Sequence, residues 1–359
     1  MSDLGDLLLD LLAMPCVTGE EGPIAAWLEE RYARRGERVR RCANSIVVGG
    51  TGDGRPTVLL VGHTDVVPPT PDDLTPRRDG ERIVGRGASD MKAGLAVAMD
   101  CFEDMVLRAG PYDLLLVAYA GEEGSHDGNE LGPVLTAMPD LAAADLAVVM
   151  EPTDLTVQLG CMGALHAEVT FRGQAAHSAR PWQGRNALTA AAGLLDELHH
   201  LAPDDVTVDG MVYREVFTAT RAWTGPSTAE GAKLSARNVV PPAFTVNVNY
   251  RFAPDKDLAE AERRVLALVD GRADVVIVDR APAGRPRRDH PLVQRFLERV
   301  PAPVEPKQAW TDVARFSEVG VPALNFGPGV TAQAHQAGEY VPEANLRAAR
   351  SAMEDFLSP

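Results

Sequence analysis

Hydrophobic and polar positions along the chain change rhythm twice. Up to about residue 162, helix-like and strand-like segments alternate. The leucines that follow Asp3, with acids among them, predict an amphipathic helix. Residues 23–35 also carry a helical spacing. Ser45–Val48 and Thr57–Val61 are short β-branched or aliphatic runs. Met91–Ala109 has a helical period and ends before Gly110-Pro111, a stop signal. Leu114–Ala120 and Leu146–Met150 are apolar runs of strand length, closed by Gly121 and by Glu151-Pro152. Runs that are apolar throughout predict a largely buried sheet, and the alternation with helices predicts α/β layers.

The pattern shifts near Gly163. Leu165–Phe171 alternates as a strand does, Ala187–Leu201 is helical, and Glu215–Thr224 and Phe244–Phe252 read as strands. Asp257–Val269 is helical and Asp274–Val278 is a strand. The order βαββαβ is that of a ferredoxin-like α+β unit. The α/β style then returns, with helices near 291–299 and 312–319, the strand Pro322–Phe326 and a last helix from Ala344. One α/β domain (1–162 and 281–359) interrupted by a smaller α+β domain (163–280) accounts for both shifts.

Composition narrows the partners. The 359 residues suffice for two domains, and 45% hydrophobic residues can build their cores. A net charge of −16 argues against nucleic acid or an anionic membrane as main partner. It leaves an anionic small substrate open, because a pocket's field is local. Cys16, Cys42, Cys101 and Cys161 are too widely spaced for a CxxC motif or a disulfide framework. They predict reduced thiols in a cytoplasmic protein. No apolar run reaches the roughly 18–20 residues of a membrane span.

The candidate chemistry sits at the ends of the predicted elements. His63 and Asp65 follow the strand Thr57–Val61, and their period-2 spacing points both to one side. Imidazole is a metal ligand, and a carboxylate two residues on can orient it. Asp90 follows the glycine-rich Gly85-Arg86-Gly87 and starts a helix. It suits an N-cap, with Ser89 as rival, or a carboxylate bridging two cations. Glu122-Glu123 closes an apolar strand. The pair suits a solvated turn, or one metal ligand beside one proton acceptor. Glu151 closes another strand, and His335 lies in a loop after Gly327-Pro328-Gly329. Two His and three carboxylates without Cys disfavour a structural thiolate site. They suit two cations about 3.5–4 Å apart, the arrangement used to hydrolyse amides.

Five segments carry these residues. They are Val-Gly-His-Thr-Asp-Val-Val-Pro at 61–68, Gly-Arg-Gly-Ala-Ser-Asp-Met-Lys at 85–92, Gly-Glu-Glu-Gly at 121–124, Met-Glu-Pro at 150–152 and Ala-His-Gln at 334–336. As a set they resemble the co-catalytic dinuclear zinc peptidases and deacylases, and the likeness covers essentially the whole chain. The resemblance implies a three-layer zinc-peptidase-like α/β catalytic domain interrupted by a ferredoxin-like lid and dimerisation domain. It implies that His63 and Glu151 bind one metal, Glu123 and His335 the other, and that Asp90 bridges them. Asp65 would support His63, and Glu122 would be the general base. The cofactors would be two zinc ions, with cobalt or manganese as substitutes. His177 of the lid would help stabilise an oxyanion in a neighbouring active site of a homodimer. The stretches Asp209–Glu215, Asn249–Asp255, Trp310–Phe316 and Asn325–Gly329 resemble the actinobacterial desuccinylase branch of the family. That branch implies a small N-acyl amino acid bearing carboxylates, held by Asn238, Arg251 and Arg185. Three other readings stay open: a deacetylase of acetylornithine or another N-acyl amino acid, a dipeptidase or carboxypeptidase, and a metal-free binding or scaffold protein.

Overall fold

Thr57–His63 and Asp113–Tyr119 are buried at every position, so the sheet they form is covered on both faces. They belong to an eight-stranded mixed sheet in the computed structural model, which describes residues 3–14, 16–50, 52, 54–225 and 237–359. The strands run in the order Val39–Cys42, Ser45–Val48, Asp113–Tyr119, Thr57–His63, Leu146–Val149, Ala323–Asn325, Val157–Leu159 and Val304–Pro306. The four central strands are mutually parallel. Their carboxyl ends therefore open on one edge, where ligands gather in open α/β sheets. The helix Lys92–Glu103 packs on Thr57–His63 and Asp113–Tyr119, and Gly22–Arg34 packs on Ser45–Val48. Gly94 allows a close approach: a Cβ there would meet the carbonyl oxygen of Met150 at 1.9 Å.

The chain divides into two compact units. The sheet belongs to the first, made of Met1–Cys161, Gly284–Lys307 and Thr311–Pro359. The second comprises Met162–Ala283 and Gln308–Trp310. Its sheet is antiparallel, in the order Asp204–Val208, Met211–Thr224, Ala243–Phe252, Gly163–Arg172 and Asp274–Ala281. Leu165, Ala167, Val169 and Phe171 share one face and form a core with Leu194, Val246, Val248 and Val265. Alternation along Gly163–Arg172 follows from that one-sided burial.

Three details depart from the sequence reading. The βαββαβ pattern gains a strand, because Asp204–Val208 pairs with Met211–Glu215 as a hairpin. Asp209 and Gly210 turn it, with φ of 48° and 76°. Positive φ at both central positions is the requirement of a tight type I′ turn. The Met91–Ala109 helix is also interrupted. It runs over Lys92–Glu103, and Asp104 then adopts an extended conformation and caps a short helix, Met105–Arg108. Gln308–Trp310 groups with the second unit, although the sequence boundary put it in the first. The Trp310 indole donates to the Pro282 carbonyl at 3.0 Å, and the Gln308 side chain bonds the backbone of Val212 and Arg214. The four cysteines are free thiols, three of them buried. Among the described residues, no helix is long and apolar enough to cross a membrane.

Candidate metal centre

The parallel strands deliver the first set of side chains. His63 is the last residue of its strand, and Glu151 stands two residues beyond the end of Leu146–Val149. Asp90 lies in the turn before the helix Lys92–Glu103. Ligand atoms of His63, Asp90 and Glu151 fall within 4.8 Å of one another, and so do those of Asp90, Glu123 and His335. Asp90 is common to both groups and presents a different oxygen to each. Its Oδ1 lies 3.3 Å from His63 Nε2, and its Oδ2 lies 3.6 Å from His335 Nε2. Glu123 reaches the same His335 nitrogen at 2.8 Å.

Asp65 touches more than the one partner its spacing suggested. The His63 Nδ1 lies 3.0 Å from the Asp65 backbone carbonyl and 3.6 Å from its carboxylate. The carboxylate also accepts the backbone N–H of Glu122 at 3.0 Å, that of Glu123 at 3.1 Å and the Thr18 hydroxyl at 2.9 Å. Asp65 thus orients His63 through its carbonyl and fixes the Glu122-Glu123 turn through its carboxylate. Asp90 does not cap its helix, whose first flanking residue is Met91. Ser89 does not cap it either: its hydroxyl donates to the Tyr340 carbonyl and accepts from Val330 N–H.

Crowded carboxylates shape the electrostatics. Burial, then the neighbouring Glu151, Asp312 and Asp90, push Glu122 well above the usual carboxylate range, and His63 opposes them. Burial and Asp90 push Glu151 up to about 7. Burial alone would raise Asp90, but the hydrogen bond to His63 together with the nearby charges of His63, His335 and Lys307 outweighs it and holds Asp90 low. Burial would lower His63, yet Asp90 and the surrounding acids hold it well above its ordinary value. His335 is raised by its bond to Glu123. Such a concentration of negative charge calls for cations.

One atom tests whether metal ions fit. Glu151 Oε1 is buried and has no hydrogen-bond partner. A buried carboxylate oxygen without a donor is costly, and a cation against it removes the cost. The donor set of imidazole nitrogen and carboxylate oxygen, without sulfur, suits zinc, cobalt or manganese.

The structure brings further residues to this site that the sequence did not single out. Asp312 is buried and accepts the Tyr119 hydroxyl at 2.6 Å and the Asn129 amide at 3.0 and 3.1 Å. The Tyr119 ring stands edge-on to His63, with centroids 6.2 Å apart. Lys307 is buried and donates to the carbonyl of Pro152, next to Glu151. A Thr-Asp or Pro-Lys pair in a loop has no periodicity to mark it. The other expected residues lie in the second unit. His177 is exposed on the short strand Ala176–His177, and its Nδ1 accepts the Ala179 N–H. The Asn238 carbonyl accepts Ser178 N–H at 2.8 Å. Arg185 is exposed, and half-buried Arg251 donates to Asn249 at 3.1 Å.

Fold and site together describe a hydrolase with two adjoining metal positions. The model of peptidase family M20/M25/M40 matches residues 59–358, and the chain belongs to that family of amide-bond hydrolases. A Mycobacterium tuberculosis protein described as a candidate succinyl-diaminopimelate desuccinylase is 35% identical, over 98% of this chain and 97% of its own. The succinyl-diaminopimelate desuccinylase of Corynebacterium glutamicum is 33% identical, over 99% and 97%. An acetylornithine deacetylase of Myxococcus xanthus is 33% identical, over 84% and 79%. A tripeptidase structure from Staphylococcus aureus superposes with a TM-score of 0.80 at 19% identity, covering 99% of this chain and 97% of that one.

Proposed function

We propose that the chain is a dinuclear metal amidohydrolase that cleaves N-succinyl-LL-2,6-diaminopimelate into succinate and LL-2,6-diaminopimelate. The observation that carries the metal chemistry is the sharing of Asp90 between two ligand groups. His63 and Glu151 would hold one ion, Glu123 and His335 the other, with Asp90 between them. Zinc suits the donors best, and cobalt or manganese could replace it. When bound, the ions would supply Lewis acidity to a water and to the amide carbonyl.

The chain's own groups would do the rest. Glu122 takes a proton from the attacking water and returns it to the departing amine. The water oxygen first adds to the acyl carbon, giving an oxyanion, and the C–N bond then breaks as the amine receives the proton. A Glu among other carboxylates holds a proton more readily than a surface Glu, which suits a group that must both take and give one. Asp65 keeps Glu122 and Glu123 in register through their backbone N–H groups. His177 would stabilise the oxyanion across a homodimer, and Asn238, Arg251 and Arg185 would bind the substrate's carboxylates.

Near-full-length likeness to desuccinylases supports the succinyl group. Likeness to an acetylornithine deacetylase supports a second reading, deacetylation of acetylornithine or a related N-acyl amino acid. The zinc-loaded protein should be assayed against N-succinyl-diaminopimelate, N-acetylornithine and simple dipeptides. A kcat/KM at least tenfold higher for the succinyl substrate is expected. A preference for acetylornithine would transfer the assignment to the deacetylase reading, and no turnover of any amide would sink both.

A further inference from the structure

Glu339 is a buried carboxylate with no assigned task, four residues beyond His335. The strand Tyr340–Pro342 pairs with Arg82–Val84, setting Tyr340 opposite Val84. That pairing brings Glu339 to the mouth of the loop 85–90, and Gly85 N–H bonds the Glu339 carbonyl at 2.9 Å. The side chain then turns into the loop. Oε2 accepts the Arg86 guanidinium at 2.8 Å and the Gly87 N–H at 2.9 Å. Oε1 accepts Ser89 N–H at 2.8 Å and Asp90 N–H at 2.9 Å. Arg86 is held in turn by buried Asp73 at 3.1 Å, and Asp73 also accepts Gly338 N–H at 3.1 Å.

Three backbone N–H groups of one loop converging on a carboxylate form a nest, the arrangement proteins use to grip an anion. Here the anion is the chain's own side chain. Its bonds are charge-assisted, so they are short and directional. They also end on the backbone of Asp90, the residue common to both ligand groups. The Asp90 carboxylate is itself contacted by His63 and His335, both members of those groups. What fixes its position independently of them is its backbone, and Glu339 holds that backbone. The same residue ties the loop to the segment that carries His335.

We propose that Glu339 is the positioning residue of the metal centre, holding the Asp90 loop and the His335 segment in register so that both ion positions exist before any ion arrives. The inference rests on the assignment of these groups as ion ligands. It predicts that removing the carboxylate weakens both positions together, where loss of Glu123 or His335 weakens one.

The test is zinc titration by calorimetry against a competing chelator, on the full chain. Glu339→Gln keeps the shape but turns an amide NH2 toward N–H donors. Zinc affinity at both positions is expected to fall at least tenfold in protein that remains folded by circular dichroism, with kcat reduced and KM nearly unchanged. Glu339→Asp keeps the charge but withdraws it by one methylene, and a smaller loss of the same pattern is expected. Unchanged zinc affinity in either folded variant would overturn the proposal. Hydrogen exchange on the metal-free wild type needs no variant: the amides of Gly87, Ser89 and Asp90 should be protected. Exchange at open-loop rates would overturn it equally. If the wild type binds no zinc, the ion-ligand assignment itself fails; if it binds two and Glu339→Gln binds as well, the positioning role alone fails.

Discussion

The two ligand groups share Asp90 and a donor chemistry, yet they are built from opposite materials. His63 and Glu151 stand at or just past the ends of parallel strands that are buried throughout, and His63 has no exposed surface. Glu123 and His335 sit on loops. The His335 side chain is 52% exposed, and its backbone takes a φ of 63°, which few residues other than glycine adopt. The sheet itself fixes the first group. The second is held by backbone N–H groups donating to buried carboxylates: Glu123 to Asp65, and the Asp90 loop to Glu339, which lies in the His335 segment. The ligands private to one position are thus products of the fold, those private to the other depend on particular side chains, and Asp90, common to both, is held by Glu339.

Asp90→Ala breaks the comparison most completely, because it removes a ligand from both groups. Zinc stoichiometry is expected to fall toward zero, and activity to drop at least as far as in a variant lacking the base. Retention of one tightly held ion, measured by metal analysis after dialysis, would show that Asp90 is not shared. Glu122→Ala comes next in effect. It should keep both ions and lose about 10²–10⁴-fold in kcat, the usual contribution of a positioned proton-transfer group. Loss of an ion in that variant would turn Glu122 from base into ligand.

The first group was the more legible in the sequence, and the reason is physical. A buried parallel strand is an unbroken apolar run, so a His or Glu at its end stands out. His63, Glu122, Glu123 and Glu151 all follow such runs, yet each taken alone suits an ordinary turn or strand end. Asp90 reads as a helix start and His335 as a loop residue, and all of these residues are credible only as members of a set. Glu339 and Asp312 carry no such mark, because an acid beside glycine or threonine reads as an ordinary turn until the structure buries it. Asp65 stands against His63 with its carbonyl at 3.0 Å and its carboxylate at 3.6 Å, but spacing does not tell that the carboxylate also accepts the Glu122 and Glu123 N–H groups. The missing strand, Asp204–Val208, has acids at its start and little alternation. Its signal was the Asp209-Gly210 pair, the dipeptide favoured in two-residue hairpins.

The smallest effect belongs to His335→Ala, and it sharpens the comparison best beside His63→Ala. Both remove one imidazole from one group, so each should cost one ion position. Their effects on the metal-free fold should differ. His63 is sealed among Asp90, Glu151 and the Tyr119 ring, and its removal leaves buried carboxylates without their counter-charge. Breaking a buried pair on one side costs about 3–5 kcal/mol. His335 is half in solvent, and water can replace it beside Glu123, so a loss within about 0.5 kcal/mol is expected. At about 2–4 °C per kcal/mol for domains of this size, that separates the metal-free melting temperatures clearly. Equal losses of Tm in the two variants would mean that the loop-built position is as firmly part of the fold as the strand-built one.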